Sequence, residues 1–242
     1  MMNRPLVSGS QNGRTRIAGH PDRLNHTMVL SSLTLAVAVA AFGAGCSTIE
    51  RSRNLNNPAV PAQTLALQVC SICHGVDGNA ASPNFPSLAA QQPAYVVEQL
   101  TSFRGHNRLD PAGFEYMWGL SRGLTDEQIK GLAAYYASQI SVPPAYRTGN
   151  PQRLSDGKEI FERGVPDKNI PACMECHGAD GQGKDNFPRV ANQHADYLVK
   201  QLNVFQRTDE RPEGAVMKVI AHGLTPENIE AVAAYLEAVA AK

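Results

Sequence analysis

The chain lacks any excess of positive charge: across 242 residues, 22 Lys and Arg are balanced by 22 Asp and Glu. Four of the arginines lie in the first 45 residues, against one Asp, so from Cys46 onward 18 basic residues face 21 acidic ones. Binding a phosphate backbone needs a basic face, so this balance argues against nucleic acid as a partner. The chain also has no stretch that alternates apolar and polar residues for long enough to form a convincing strand. That leaves an all-α reading and removes the βαβ setting of a thioredoxin-like redox motif. Long apolar runs are scarce. The longest candidate, Met28 to Gly45, is short for a membrane span, which takes about 20 apolar residues. Sulfur is sparse as well, with five Cys and six Met.

Four of the five cysteines are used in two copies of one pentad, Cys70-Ser71-Ile72-Cys73-His74 and Cys173-Met174-Glu175-Cys176-His177. C-x-x-C-H is the attachment pattern of a c-type haem. Cys70 and Cys73, and likewise Cys173 and Cys176, would add across the haem vinyl groups, and His74 and His177 would each supply a ring nitrogen to iron. A spacing of two residues sets both sulfurs near one porphyrin edge and the His under the metal. A Cys₄ zinc site drawing on both pairs is the rival reading. It leaves both histidines and a repeated Met without a role.

The pentads sit inside a longer repeat. Asn84-Phe85-Pro86 matches Asn186-Phe187-Pro188; Tyr95, Gln99, Leu100 and Phe103 match Tyr197, Gln201, Leu202 and Phe205. Gly123-Leu124-Thr125 matches Gly223-Leu224-Thr225, and Ala133-Ala134-Tyr135 matches Ala233-Ala234-Tyr235. The offset drifts from 103 at the cysteines to 100 at the last helix, so the differences lie in loops. The pattern is a tandem duplication of a unit of roughly 80 to 90 residues. Residues 62–140 form the first domain, 141–152 a Pro- and Gly-rich linker, and 153–242 the second. Helices are expected from Ala62 into the first pentad, over Ala94–Phe103, and from Thr125, where Gln128 completes a capping box and Ile129, Leu132, Ala133, Tyr136 and Ile140 share a face. A polar loop leads to Met117. Units this small hold little core alone, and a covalent haem in each supplies the remainder.

Met117 and Met217 are the only methionines after the pentads in their halves, each about 40 residues past its His. Core filling is the ordinary role of such a residue. Matched positions in a Met-poor chain favour the sixth iron ligand. His/Met ligation raises the potential and leaves neither iron open to oxygen or peroxide, the layout of an electron carrier rather than an enzyme. His106 is a lesser alternative to Met117. His194 and His222 are expected in surface or hydrogen-bonding roles, and the acidic residues Asp209, Glu210 and Glu213 in a solvated loop.

The fifth cysteine, Cys46, ends the run Gly43-Ala44-Gly45-Cys46, which resembles a bacterial lipobox with Gly43 where Leu is usual. Residues 1–45 then read as a lipoprotein-type signal peptide, with Arg14, Arg16 and Arg23 before the apolar stretch, and 46–61 as a flexible tether. A signal cut after Ala38 or Ala40, or an uncut anchor, are the alternatives. Each implies export.

These residues together resemble the dihaem cytochrome c4 family over about residues 60–240: Cys-x-x-Cys-His-Gly twice, Asn-Phe-Pro twice, the paired Met, and Gly-Leu-Thr before an Ala-Ala-Tyr helix twice. The resemblance implies two cytochrome c-like domains related by a pseudo-twofold, two haem c groups with propionates near the interface, and carbonyls of Pro86 and Pro188 accepting the Nδ1–H of His74 and His177. It implies a periplasmic single-electron carrier serving redox partners such as a terminal oxidase or a bc1-type complex. The alternative is the electron-accepting haem subunit of a flavin- or quinone-dependent dehydrogenase. The tether expected at Cys46 departs from the family pattern. So does a first Met loop two residues longer than the second, which argues against equal potentials.

Overall fold

In the computed structural model, residues 53–111, 113–145, 149–207 and 209–239 are described. Residues 1–45, expected above to be a signal peptide, and Cys46 lie outside them. In the first half, α1 (Ala62–Leu65) passes through a π-turn (Ala66–Cys70) directly into α2 (Ser71–His74). Then come α3 (Pro93–Arg104), a second π-turn (Gly113–Met117) leading into α4 (Trp118–Ser121), and α5 (Asp126–Ala137). The second half contains α6 (Pro151–Arg163), α7 (Met174–His177), α8 (Ala195–Arg207), α9 (Ala215–His222) and α10 (Pro226–Ala238). Among the described residues there is no strand, only the isolated bridges Val165–Ile170 and Lys184–Phe187.

Helix starts follow local chemistry. Thr125 Oγ1 accepts from the Gln128 N–H at 3.1 Å, and the Gln128 side chain accepts in return from the Thr125 N–H at 3.0 Å. Thr225 and Asn228 repeat the reciprocal pair, with Pro226 at the first helical position, where its missing N–H costs nothing. Each such cap contributes about 1 kcal/mol.

Each half has its own core. In the first, Leu65 and Ala66 pack with Ile129, Leu132 and Tyr136 of α5, closed by Val60 and Leu124. In the second, Ile160 and Phe161 of α6 meet Leu198 of α8 and Ala231, Val232 and Leu236 of α10. Fully burying side chains of this size contributes about 1.5–3 kcal/mol each. Ile140 does not join the α5 face: the helix ends at Ala137 and Ile140 is 80% exposed. The segment before α1 is held in place. Val60 is buried, and Gln128 Nε2 donates to the carbonyls of Asn57 and Val60, both at 3.0 Å.

Close helix approach relies on one glycine per half. A Cβ on Gly131 of α5 would lie 2.6 Å from Cβ of Ala62, and one on Gly157 of α6 would lie 2.0 Å from the carbonyl oxygen of Ala231. The glycine has changed sides between the copies: α5 carries it in the first half, α6 in the second.

The halves meet through buried polar groups. Gln99 Oε1 accepts from Arg108 at 2.6 Å and from Arg211 at 3.0 Å. Gln201 Oε1 accepts from the same two guanidiniums, at 3.2 and 2.6 Å. Arg108 pairs with Asp110 at 2.6 Å and Arg211 with Glu213 at 3.1 Å, so the centre carries no net charge. Each guanidinium also lies 4.6 Å from the ring centre of a phenylalanine, Phe103 or Phe205. Glu213 is therefore part of a buried interface and not of a solvated loop, because Arg211 draws it inward; only Asp209 of the acidic trio keeps a largely exposed side chain, which pairs with Lys218.

Candidate functional site

Each pentad ends in a one-turn helix, α2 or α7, that carries its histidine inward. His74 and His177 are 7% and 8% exposed. Glycine must follow. Gly75 and Gly178 have φ of 78° and 82°, and a Cβ on Gly75 would sit 2.3 Å from the Asn79 carbonyl oxygen. The chain then folds back so that Nδ1–H of His74 donates to the Pro86 carbonyl and Nδ1–H of His177 to the Pro188 carbonyl, both at 2.9 Å. These bonds fix the tautomer and turn Nε2 of each ring outward as a lone-pair donor. Burial lowers both imidazole pKa values, against the opposing pull of the carbonyl, which favours neutral rings able to bind a metal. Phe85 and Phe187 meet the two rings in edge geometry at 6.3 Å between centres, which with the Pro carbonyls accounts for the Phe-Pro of the repeated motif.

Burial pushes the Cys70 and Cys173 thiols up to about 11, away from the lowered range of a reactive redox thiol. The pairs do not converge on a zinc site: among the described residues, no group of three or more His, Cys, Asp or Glu side chains could hold a metal ion. Beside the pentads and the methionines the surface is unusually apolar. Ile72 lies within the first pentad and Val76 just after it, Phe114 and Tyr116 precede Met117, and Val216 and Val219 bracket Met217, all more than half exposed. Met117 and Met217 themselves are half-buried. Apolar side chains gathered at histidine- and thiol-bearing segments fit a large, flat, apolar prosthetic group whose faces they would cover. Arg189 adds a polar element. Its buried guanidinium donates to the carbonyls of Ala191 and Ser87, burial lowers its pKa to about 10, and its Nε–H alone is left without a partner, a donor that a carboxylate of a bound group would satisfy.

Other histidines take different parts. His106 is exposed and stacks on Phe114 and Trp118 at 5.3 and 4.9 Å. His194 is buried, and its Nε2–H donates to the Ala80 carbonyl of the other half at 2.7 Å. Sequence reasoning passed over Ser87, Gln91, Arg189 and Gln193, all buried beside the His-bearing turns. The signal was present, since Gln91 and Gln193 stand at the same offset as the Asn-Phe-Pro motifs.

A doubled unit of this kind defines a two-domain c-type cytochrome, and the cytochrome c family model matches residues 59–139 and 154–240. Cytochrome c-552 of Acidithiobacillus ferridurans is 36% identical over 214 residues, 88% of this chain and 87% of that protein. The solved cytochrome c4 of Acidithiobacillus ferrooxidans superposes with a TM-score of 0.66 at 37% identity, covering 70% of this chain and 98% of that one. A thiosulfate dehydrogenase electron acceptor from Stutzerimonas stutzeri is 33% identical over 181 residues, 73% of this chain and 82% of that protein. The chain belongs to the dihaem cytochrome c4 family. It is an electron-transfer protein with two covalent haem c groups.

Proposed function

We propose that the protein is a periplasmic single-electron carrier whose two haems are attached at Cys70 and Cys73 and at Cys173 and Cys176, with His74/Met117 and His177/Met217 as axial ligands. The haems supply the one-electron chemistry. The chain's own residues attach, orient and shield them. The carrying observation is the pair of identical histidine–carbonyl bonds, which fixes two neutral imidazoles in one fold-level arrangement. The apolar residues around each methionine would cover the haem faces, and the unpaired Nε–H of Arg189 would serve a propionate. Filled axial positions on both irons favour outer-sphere transfer over peroxidase chemistry. Cys46 tethers the protein to a membrane through lipid. No helix among the described residues is long and apolar enough to cross one.

Partners are redox proteins, with a terminal oxidase or a bc1-type complex as the first candidates. The likeness to thiosulfate dehydrogenase electron acceptors favours a second reading, the electron-accepting subunit of a dehydrogenase complex. Purification from membranes in mild detergent separates the two: a protein recovered alone supports the free carrier, and a stoichiometric dehydrogenase partner overturns it. The same preparation tests the tether. Cys46→Ala is expected to move the protein to the soluble fraction, and continued sedimentation with membranes would rule lipidation out.

A further inference from the structure

The peptide unit joining Pro86 to Ser87 is used on both edges. Its carbonyl accepts from His74 Nδ1–H at 2.9 Å, and its N–H donates to Oε1 of Gln193, from the opposite half, at 2.8 Å. Gln193 Nε2 then donates to the Ser87 carbonyl at 3.0 Å, closing a two-bond clamp. The arrangement recurs with the halves exchanged. The Pro188–Arg189 peptide accepts from His177 Nδ1–H at 2.9 Å and donates to Gln91 Oε1 at 2.6 Å, while Gln91 Nε2 donates to the Arg189 carbonyl at 3.0 Å. Both glutamines are at most 4% exposed, so water does not compete for these bonds.

Hydrogen bonds in series polarise one another. An acceptor on a peptide N–H increases the negative charge on that peptide's carbonyl oxygen. The carbonyl then draws harder on the imidazole Nδ1–H, and the ring becomes a more basic metal ligand. A more basic ligand stabilises ferric over ferrous iron and lowers the potential. We propose that Gln193 and Gln91 are crossed positioning residues: each sets the orientation and basicity of the proximal histidine in the other half, and thereby the potential of the other half's haem. This rests on the reading of His74 and His177 as axial ligands. The two domains are then coupled at their ligands, and not only where their surfaces touch.

The test is a spectroelectrochemical titration of the full-length holoprotein, with the two steps assigned by paramagnetic NMR of the haem methyl groups. Gln193→Leu is expected to raise the potential of the first-half haem and leave that of the second-half haem closer to its starting value. Gln91→Leu gives the converse. Gln193→Glu and Gln91→Glu offer a stronger acceptor to the same peptide N–H and are expected to lower the crossed potential below that of the parent protein, with the potential of the glutamine's own half closer to its starting value. If a Leu variant does not accumulate as holoprotein, the crossed comparison is made with the Glu pair. A shift confined to the glutamine's own half, equal shifts in both, or none overturns the proposal. NMR of the parent protein decides separately whether both irons carry His/Met ligation, so failure of the ligand assignment is distinguishable from failure of the crossed coupling.

Discussion

At the scale of single residues the methionines make the sharpest expectation. A thioether is soft and neutral and favours ferrous iron, whereas imidazole favours ferric. Met117→His is therefore expected to lower the first-half potential while both thioether bonds to the haem remain intact. A redox titration checks this, and an unchanged titration would remove Met117 from the iron. The proposed attachment and ligand residues, Cys70, Cys73 and His74 and their counterparts Cys173, Cys176 and His177, could be named without coordinates because attachment demands fixed types at fixed spacing. Asn-Phe-Pro was visible as a repeat, but its parts became intelligible only in three dimensions, where Phe85 edges the His74 ring and Pro86 offers its carbonyl. Gln91 and Gln193 were legible only as polar loop residues. Their role depends on a neighbour about 100 positions away, a distance at which periodicity and capping say nothing.

At the scale of elements, helix existence was readable from caps and apolar spacing, and the capping box at Thr125 stands as expected; the one at Thr225, closed by Asn228, emerges only from the structure. The π-turn at Gly113–Met117 was not readable, since it ends a stretch read as a polar loop and has neither a cap nor helical spacing to mark it. Nor was the exchange of the contact glycine between helices. The repeat compares like positions, and the α1–α5 and α6–α10 crossings solve one steric problem from opposite sides. Gly157→Leu is expected to force these helices apart and cost about 1–3 kcal/mol, as overpacking does. Urea denaturation of the holoprotein followed by far-UV circular dichroism measures it. Gly119 has nothing within 4 Å of a would-be Cβ and serves as the control, with Gly119→Ala expected to leave the transition in place.

For the whole molecule, the paired guanidiniums at the junction decide how the halves hold together. Asp110 has no exposed surface, and Arg108 depends on it. Asp110→Ala leaves a buried cation without its partner, which is expected to cost about 3–5 kcal/mol. The measurable sign is separation of one unfolding transition into two. Burial by itself would raise the Asp110 pKa, but the charges of Arg108 and Arg211 and the hydrogen bonds of Arg108 and Gln201 outweigh it and leave the carboxyl lowered. A lowered folded-state pKa contributes stability that is complete above the ordinary Asp value of about 3.9 and is lost as pH falls through the folded value. The junction is therefore expected to hold near neutrality and to weaken in strong acid, which denaturation midpoints across an acidic pH series would show.

The doubly used peptides at Ser87 and Arg189 have a consequence for the timing of motion. Both N–H groups belong to residues outside the helices, where amide hydrogens ordinarily exchange with water soon after dilution into deuterium oxide. Here each is buried, and its acceptor comes from the other half, so exchange must wait until the halves part. These amides are expected to exchange as slowly as those in the middle of α5 and α10. Their exchange rates then serve as a clock for how often the two cytochrome domains open.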